Sequence, residues 1–166
     1  MDLIKGDITT LDLDCIVNAA NEDLMPGGGV CGAIHQAAGK ELAAECKRIG
    51  HCGVGEARIT SGYNLKAKHV IHTVGPIWHG GNHGEDQYLF NCYKKSLLLS
   101  THHGIESIAF PNISTGIYRY PKELAAETAV AAVKQHQSSG RKLNEVIFCC
   151  FDDDNYKLYD SLLTKG

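Results

Sequence analysis

The chain has 166 residues, 43% of them apolar and 21% charged, with a formal charge of −3. That length and balance suit one compact domain with a sizeable core, and the mildly acidic charge excludes a dominant electrostatic footprint for nucleic acid. No stretch approaches the ~20 apolar residues of a membrane span, Met1–Lys5 has neither the basic start nor the apolar run of a signal peptide, and seven cysteines without a Cys-x-x-Cys pair fit reduced thiols, so a soluble cytoplasmic protein is expected.

Short β-branched runs alternate with segments of helical period. Leu3-Ile4 reads as a short edge piece and Cys15-Ile16-Val17 as the first buried strand. Ile34, Ala38, Leu42 and Cys46 then fall four apart, which keeps them near one helical face. Strands follow at Ala57–Thr60 and His69–Thr73, and Leu89, Tyr93 and Leu97 repeat the helical spacing. After a strand at Ser107–Phe110, Pro121 sits where a first-turn proline belongs, ahead of the Ala125, Ala129, Val133 face. The last strand is Val146–Cys150, and Asp152-Asp153-Asp154 places negative charge where a final helix dipole favours it. This alternation predicts an α/β fold with helices on both faces of a sheet. Ligands of such sheets sit at the carboxyl ends of strands, so the loops after strands are the place to look.

Three such loops carry chemistry. Asn18-Ala19-Ala20-Asn21 is followed by Gly27-Gly28-Gly29-Val30-Cys31-Gly32, whose glycines bring backbone N–H groups close to an anion ahead of a helix N-terminus. Gly27, Gly29 and Gly32 match G-x-G-x-x-G formally, but Glu22–Pro26 separates them from the strand, unlike a dinucleotide-binding turn. No Gly-Lys-Ser/Thr follows, which excludes a P-loop. In the second loop Ser114 and Thr115 offer hydroxyls, Gly116 permits close approach and Tyr118 can flank a sugar; alone, Ser114-Thr115-Gly116 reads equally as a turn. After the last strand Phe151 offers a face for a base, although an aromatic there is more often core. Asp7, by itself, reads as a turn or cap residue.

Taken in order, Gly6-Asp7-Ile8-Thr9, Asn18–Asn21, Gly27–Val30, Gly32-Ala33-Ile34-His35, His72–Pro76 and Ile113–Tyr118 resemble the macrodomain family, most closely its bacterial MacroD-type branch, from Ile4 to Leu163. The resemblance implies one macrodomain over 1–166, a three-layer α/β/α fold with a mixed sheet of about six strands. It implies ADP-ribose as the ligand, with no cofactor and no metal. Asp7 would accept a bond from the adenine amino group beside the Ile8 backbone, and Phe151 would stack near the base. Ser114, Thr115, Gly116, Ile117 and Tyr118 would wrap the diphosphate, with Gly28, Gly29 and Val30 closing from the other side. Asn21 would bond the distal ribose. The implied reaction is hydrolysis at that ribose, of O-acetyl-ADP-ribose or of mono-ADP-ribose esterified to protein Asp or Glu; the alternative is a non-catalytic ADP-ribose reader. The implied partners are these small molecules and mono-ADP-ribosylated proteins, without membrane or nucleic acid, and the implied state is a monomer.

One departure matters. The family's run reads Gly-Gly-Gly-Val-Asp-Gly, whereas this chain has Cys31 at the Asp position. A thiol is no anionic acceptor unless it ionises, and free cysteine titrates near ~8.5. Losing the carboxylate removes repulsion toward the diphosphate and also removes a group that orients ribose and water. Cys31 and His35, four apart on a helix, raise a second possibility, a thiol–imidazole pair. Cys46, His51 and Cys52 lack an evident fourth ligand for zinc. Arg119 sets a cation beside the diphosphate loop.

Overall fold

In the computed structural model, which describes residues 1–165, six strands form one sheet. They are β1 (Asp2–Lys5), β2 (Cys15–Ala19), β3 (Ala57–Ser61), β4 (His69–Thr73), β5 (Ser107–Phe110) and β6 (Glu145–Cys150). The order is β1-β6-β5-β2-β4-β3, parallel throughout except for β3, which runs antiparallel to β4 at the edge. The mixed six-stranded α/β architecture expected from the sequence is therefore the one found.

Side-chain alternation along the strands separates two cores. Cys15 and Val17 of β2, Ile108 and Phe110 of β5 and Phe148 of β6 face α3 (Glu85–His102), α4 (Lys122–Gln137) and α5 (Asp153–Lys165). Tyr93, Phe110, Phe148 and Tyr159 run through that core with successive ring centroids 5.0, 6.5 and 4.8 Å apart. Ile16, Ala109, Ile147 and Val70 point the other way, against α1 (Gly29–Ala38) and α2 (Lys40–Ile49).

The four-residue spacing of Ile34, Ala38, Leu42 and Cys46 places all four in this second core, each fully buried. They do not lie on one helix. Gly39, at φ +90°, donates its N–H to His35 O as the cap of α1, and its own carbonyl accepts from Leu42 N in the first turn of α2. Only a glycine holds that left-handed geometry without strain, so the chain turns there while keeping its buried face. Pro121 occupies the N-cap position of α4, one residue before the first turn and without a side-chain bond, and Asp152 Oδ1 accepts the N–H of Asn155 at 2.7 Å at the start of α5.

The connection leaving β2 enters α1 on one face, and that leaving the neighbouring β5 enters α4 on the other. The carboxyl ends of β2 and β5 thus flank a topological switch point, where the two departing loops splay apart and leave a crevice.

Candidate functional site

The crevice is a cleft with two lobes. The first, of about 460 Å³, is lined by residues that include Asn21, Gly27–Cys31, Gly75 and the 112–118 loop. The second, also about 460 Å³, is lined by residues that include Asp7, Ile8, Thr115, Cys149, Phe151 and Asn155. Gly29, Val30, Asn112 and Gly116 line both lobes, so the glycine run and the 114–118 loop form a waist between them.

The waist is rich in unclaimed donors. Tyr120 N bonds Ser114 O at 2.9 Å, Arg119 N bonds Gly116 O at 3.0 Å, and Trp78 N bonds Tyr118 O at 2.8 Å. These bonds fix the loop through its carbonyls and leave the backbone N–H groups of Thr115 to Tyr118 without a partner among the described residues. Across the waist α1 begins inside the glycine run at Gly29, so the N–H groups of Gly29, Val30 and Cys31 are first-turn donors without an intrahelical acceptor. The helix dipole adds positive potential there. Ser114 and Arg119 hold φ of +67° and +63°, strained for non-glycine residues, and the bonds just named keep them there. Ser114 Oγ is buried without a partner.

The glycines divide into two kinds. A Cβ on Gly75 would lie 2.1 Å from Ser114 Oγ, and one on Gly32 would lie 2.4 Å from Gly27 O, so these two let the loops touch. A Cβ on Gly28, Gly29 or Gly116 would meet nothing within 4 Å, because each borders open space.

Asp7 Oδ1 accepts from Thr9 N at 2.9 Å and from Thr9 Oγ1 at 2.7 Å, capping the turn Ile8–Thr10. Both bonds use one oxygen, so Oδ2 keeps its lone pairs. The cap reading of Asp7 and its place in the second lobe thus hold together. Phe151 is not core: it is 82% exposed on the rim of that lobe, and Ile117 is 92% exposed on the first. Asn21 grips its own loop, with Nδ2 donating to Met25 O at 2.8 Å and Oδ1 accepting from Met25 N at 3.0 Å. An amide retains one further N–H and one lone pair in that arrangement.

Cys31 lies 6% exposed at the floor of the first lobe. Its Sγ accepts from Asn18 Nδ2 at 3.7 Å and donates to Met25 O at 3.6 Å. The alternative thiol–imidazole pair of Cys31 and His35 is not formed, and both ring nitrogens of His35 are buried without partners. Behind Cys31 runs a polar line that sequence reasoning missed. Asn18 Nδ2 also meets His72 Nδ1 at 3.0 Å, and His72 Nε2 meets Thr60 Oγ1 at 3.0 Å. Asn18 and His72 are fully buried, and Asn18 Oδ1 has no partner. Burial, with His35 nearby, pushes His72 down to about 3, so its ring is neutral. A neutral ring that accepts at Nδ1 carries its proton on Nε2 and donates it to Thr60. Asparagine and histidine inside apolar strands were the available signal.

Arg119 is exposed and does not line the cleft. Cys46, His51 and Cys52 do not converge, and no group of three metal-ligating side chains occurs among the described residues. Burial, then Glu45 and Cys31, push the Cys46 thiol up to about 11. Among the described residues no helix is long and apolar enough to cross a membrane. Asn112 and Asn155 are lining residues the sequence reading left unassigned.

Comparison with known proteins agrees with this geometry. Residues 17–129 match the family model of the Macro domain. A macro domain-containing protein of Chlorobaculum tepidum is 54% identical over 98% of this chain and 95% of its own length. The ADP-ribose glycohydrolase MACROD2 of Xenopus laevis is 52% identical over 97% of this chain, which spans 39% of that protein. Among solved structures, the Oceanobacillus iheyensis macrodomain with ADP superposes with a TM-score of 0.94 at 39% identity, covering 98% of this chain and 89% of that one. The Trypanosoma brucei macrodomain in complex with ADP-ribose gives 0.91 at 41% identity, covering 97% and 68%. The chain belongs to the macrodomain family.

Proposed function

We propose that the cleft binds ADP-ribose and that the chain hydrolyses an ester at the distal ribose, of O-acetyl-ADP-ribose or of mono-ADP-ribose on a protein carboxylate. The observation that carries this reading is the waist: two facing sets of unpaired backbone N–H groups, from Thr115–Tyr118 and from Gly29–Cys31, between two lobes. A diphosphate joining two nucleoside-like halves has that shape and needs those donors. The second lobe would take the adenine, with Asp7 Oδ2 accepting from its amino group, the Ile8 backbone beside it and Phe151 over its face. The first lobe would take the distal ribose, with the remaining donor and acceptor of Asn21 on its hydroxyls.

In the assigned mechanism the waist fixes the diphosphate, the first lobe holds the ribosyl ester, and a water held against the α-phosphate attacks it. The carboxylic acid leaves and ADP-ribose remains in the cleft. Cys31 sits where a carboxylate would order that water. Structures of the Oceanobacillus iheyensis protein include single variants at an asparagine, a glycine and an aspartate spaced seven and three residues apart. Asn21, Gly28 and Cys31 have the same spacing, which supports placing Cys31 at that aspartate's position. Cys31 carries no carboxylate and its Sγ is already engaged by Asn18 and Met25, which favours the second reading, a reader that binds without turnover.

Release of ADP-ribose from a protein mono-ADP-ribosylated on glutamate separates the two readings. Cys31→Asp is expected to release faster than the wild type, by roughly 100-fold, the scale of one positioned polar group. Wild-type release that Asn21→Ala slows would establish the hydrolase. No release by the wild type together with gain by Cys31→Asp would establish the reader.

A further inference from the structure

A further cavity adjoins the first lobe. Gly75 and Tyr118 line both that lobe and a third cavity of about 290 Å³ beyond it. The far wall is the segment from Ile77 to Gly84, which links β4 to α3. Its conformation is held from below by one carboxylate. Glu85, 2% exposed, accepts the backbone N–H groups of His79 at 2.8 Å, Gly81 at 2.9 Å and His83 at 2.7 Å. Burial alone would raise this carboxyl, but those backbone donors outweigh it and hold Glu85 down to about 2. Gly80, Gly81 and Gly84 have φ between +77° and +98°, which glycine alone adopts without strain.

The same segment is tied to the diphosphate loop. Trp78 N donates to Tyr118 O, and the Trp78 ring packs edge-on against Tyr120 with centroids 4.8 Å apart. A wall fixed to both the waist and α3 is a preformed surface, and its position follows that of the first lobe. Its lining is apolar and aromatic, with Val54, Ile77 and Tyr88, and carries two imidazoles, His79 and His83, whose centroids lie 6.0 Å apart. Ile77 and Tyr88 are 49% and 45% exposed, large apolar groups standing open to solvent. The Glu22 carboxylate also borders the cavity and disfavours an acidic occupant.

We propose that this cavity holds the acyl side of the substrate: the esterified side chain and an adjoining apolar residue of the modified protein. The assignment rests on the distal ribose lying in the first lobe, which shares Gly75 and Tyr118 with this cavity. An acetyl group would leave most of 290 Å³ unfilled, whereas a peptide segment fills it and buries Ile77 and Tyr88. Imidazole N–H groups offer donors to the peptide carbonyls.

The test compares ligands by calorimetry on the wild type and on the double variant Ile77→Ala/Tyr88→Ala, which alters only exposed side chains outside the ADP-ribose lobes. The ligands are free ADP-ribose and two peptides carrying ADP-ribose through a non-hydrolysable amide, one with leucine and one with aspartate beside the linkage. The leucine peptide is expected to bind the wild type about tenfold tighter than free ADP-ribose, and the aspartate peptide to show no such gain. In the double variant the gain disappears while the affinity for free ADP-ribose is unchanged. A leucine peptide no tighter than free ADP-ribose, or a gain that survives in the variant, overturns the proposal and leaves the ADP-ribose reading standing. Absence of free ADP-ribose binding by the wild type overturns both.

Discussion

At the residue scale the glycines show how one residue type serves opposite needs. Gly32 and Gly75 are required because backbone or side-chain atoms occupy the space where a Cβ would be. Gly116 is different: its φ is not positive, and a Cβ there would meet nothing within 4 Å. A side chain at 116 therefore costs the fold little and enters the space at the waist that both lobes share. Gly116→Val is expected to lower ADP-ribose affinity by about tenfold or more, while its unfolding free energy stays within roughly 0.5 kcal/mol of the wild type. Titration calorimetry and urea melts check the two halves; unchanged affinity would remove Gly116 from the ligand cradle. Cys31 belongs to the same scale. Its sulfur lies at the floor of the first lobe, and its two bonds to Asn18 and Met25 show what a replacement at 31 must exchange.

At the element scale the polar line Thr60–His72–Asn18 pins three strands together behind the first lobe, since these residues lie on β3, β4 and β2. The folded ring of His72 is held at about 3, below the ~6.5 of an unfolded histidine, chiefly by burial. A depressed value means that the unfolded chain binds the proton first. The stability His72 contributes is complete above about pH 6.5 and is lost progressively as pH falls toward 3. Between pH 7.5 and pH 5 this one group should remove about 2 kcal/mol of unfolding free energy. Urea unfolding at the two pH values measures it, and a flat profile across that range would contradict a neutral, buried His72. Much at this scale was readable from residue order. The runs at His69–Thr73 and Ser107–Phe110 form strands with those bounds, because each is short and buried on both faces beyond its first residue. The break between α1 and α2 was not readable from periodicity. The pattern Ile34, Ala38, Leu42, Cys46 continues across Gly39, and only the left-handed cap shows that the helix restarts. Asn18 and His72 were hidden for a related reason: a strand pattern tells which face a residue takes, not that two polar groups from neighbouring strands will meet.

At the scale of the whole molecule, function follows from the order of the strands. Placing β2 beside β5 brings together the ends of two segments about ninety residues apart in sequence, and sends α1 and α4 to opposite faces. The cleft between them collects residues that the sequence presents as separate motifs: Asp7 and Ile8, the glycine run, the 114–118 loop and Phe151. Sequence order alone supplied the list and could not supply the waist, because the free N–H groups of Thr115–Tyr118 depend on which carbonyls the loop closes upon. Calorimetric titration of the wild-type chain with ADP-ribose measures whether those donors at the junction of the two lobes hold a diphosphate. The expected result is one-to-one binding with a Kd of roughly micromolar order, about −8 kcal/mol. No heat and no saturation at micromolar concentrations would contradict it.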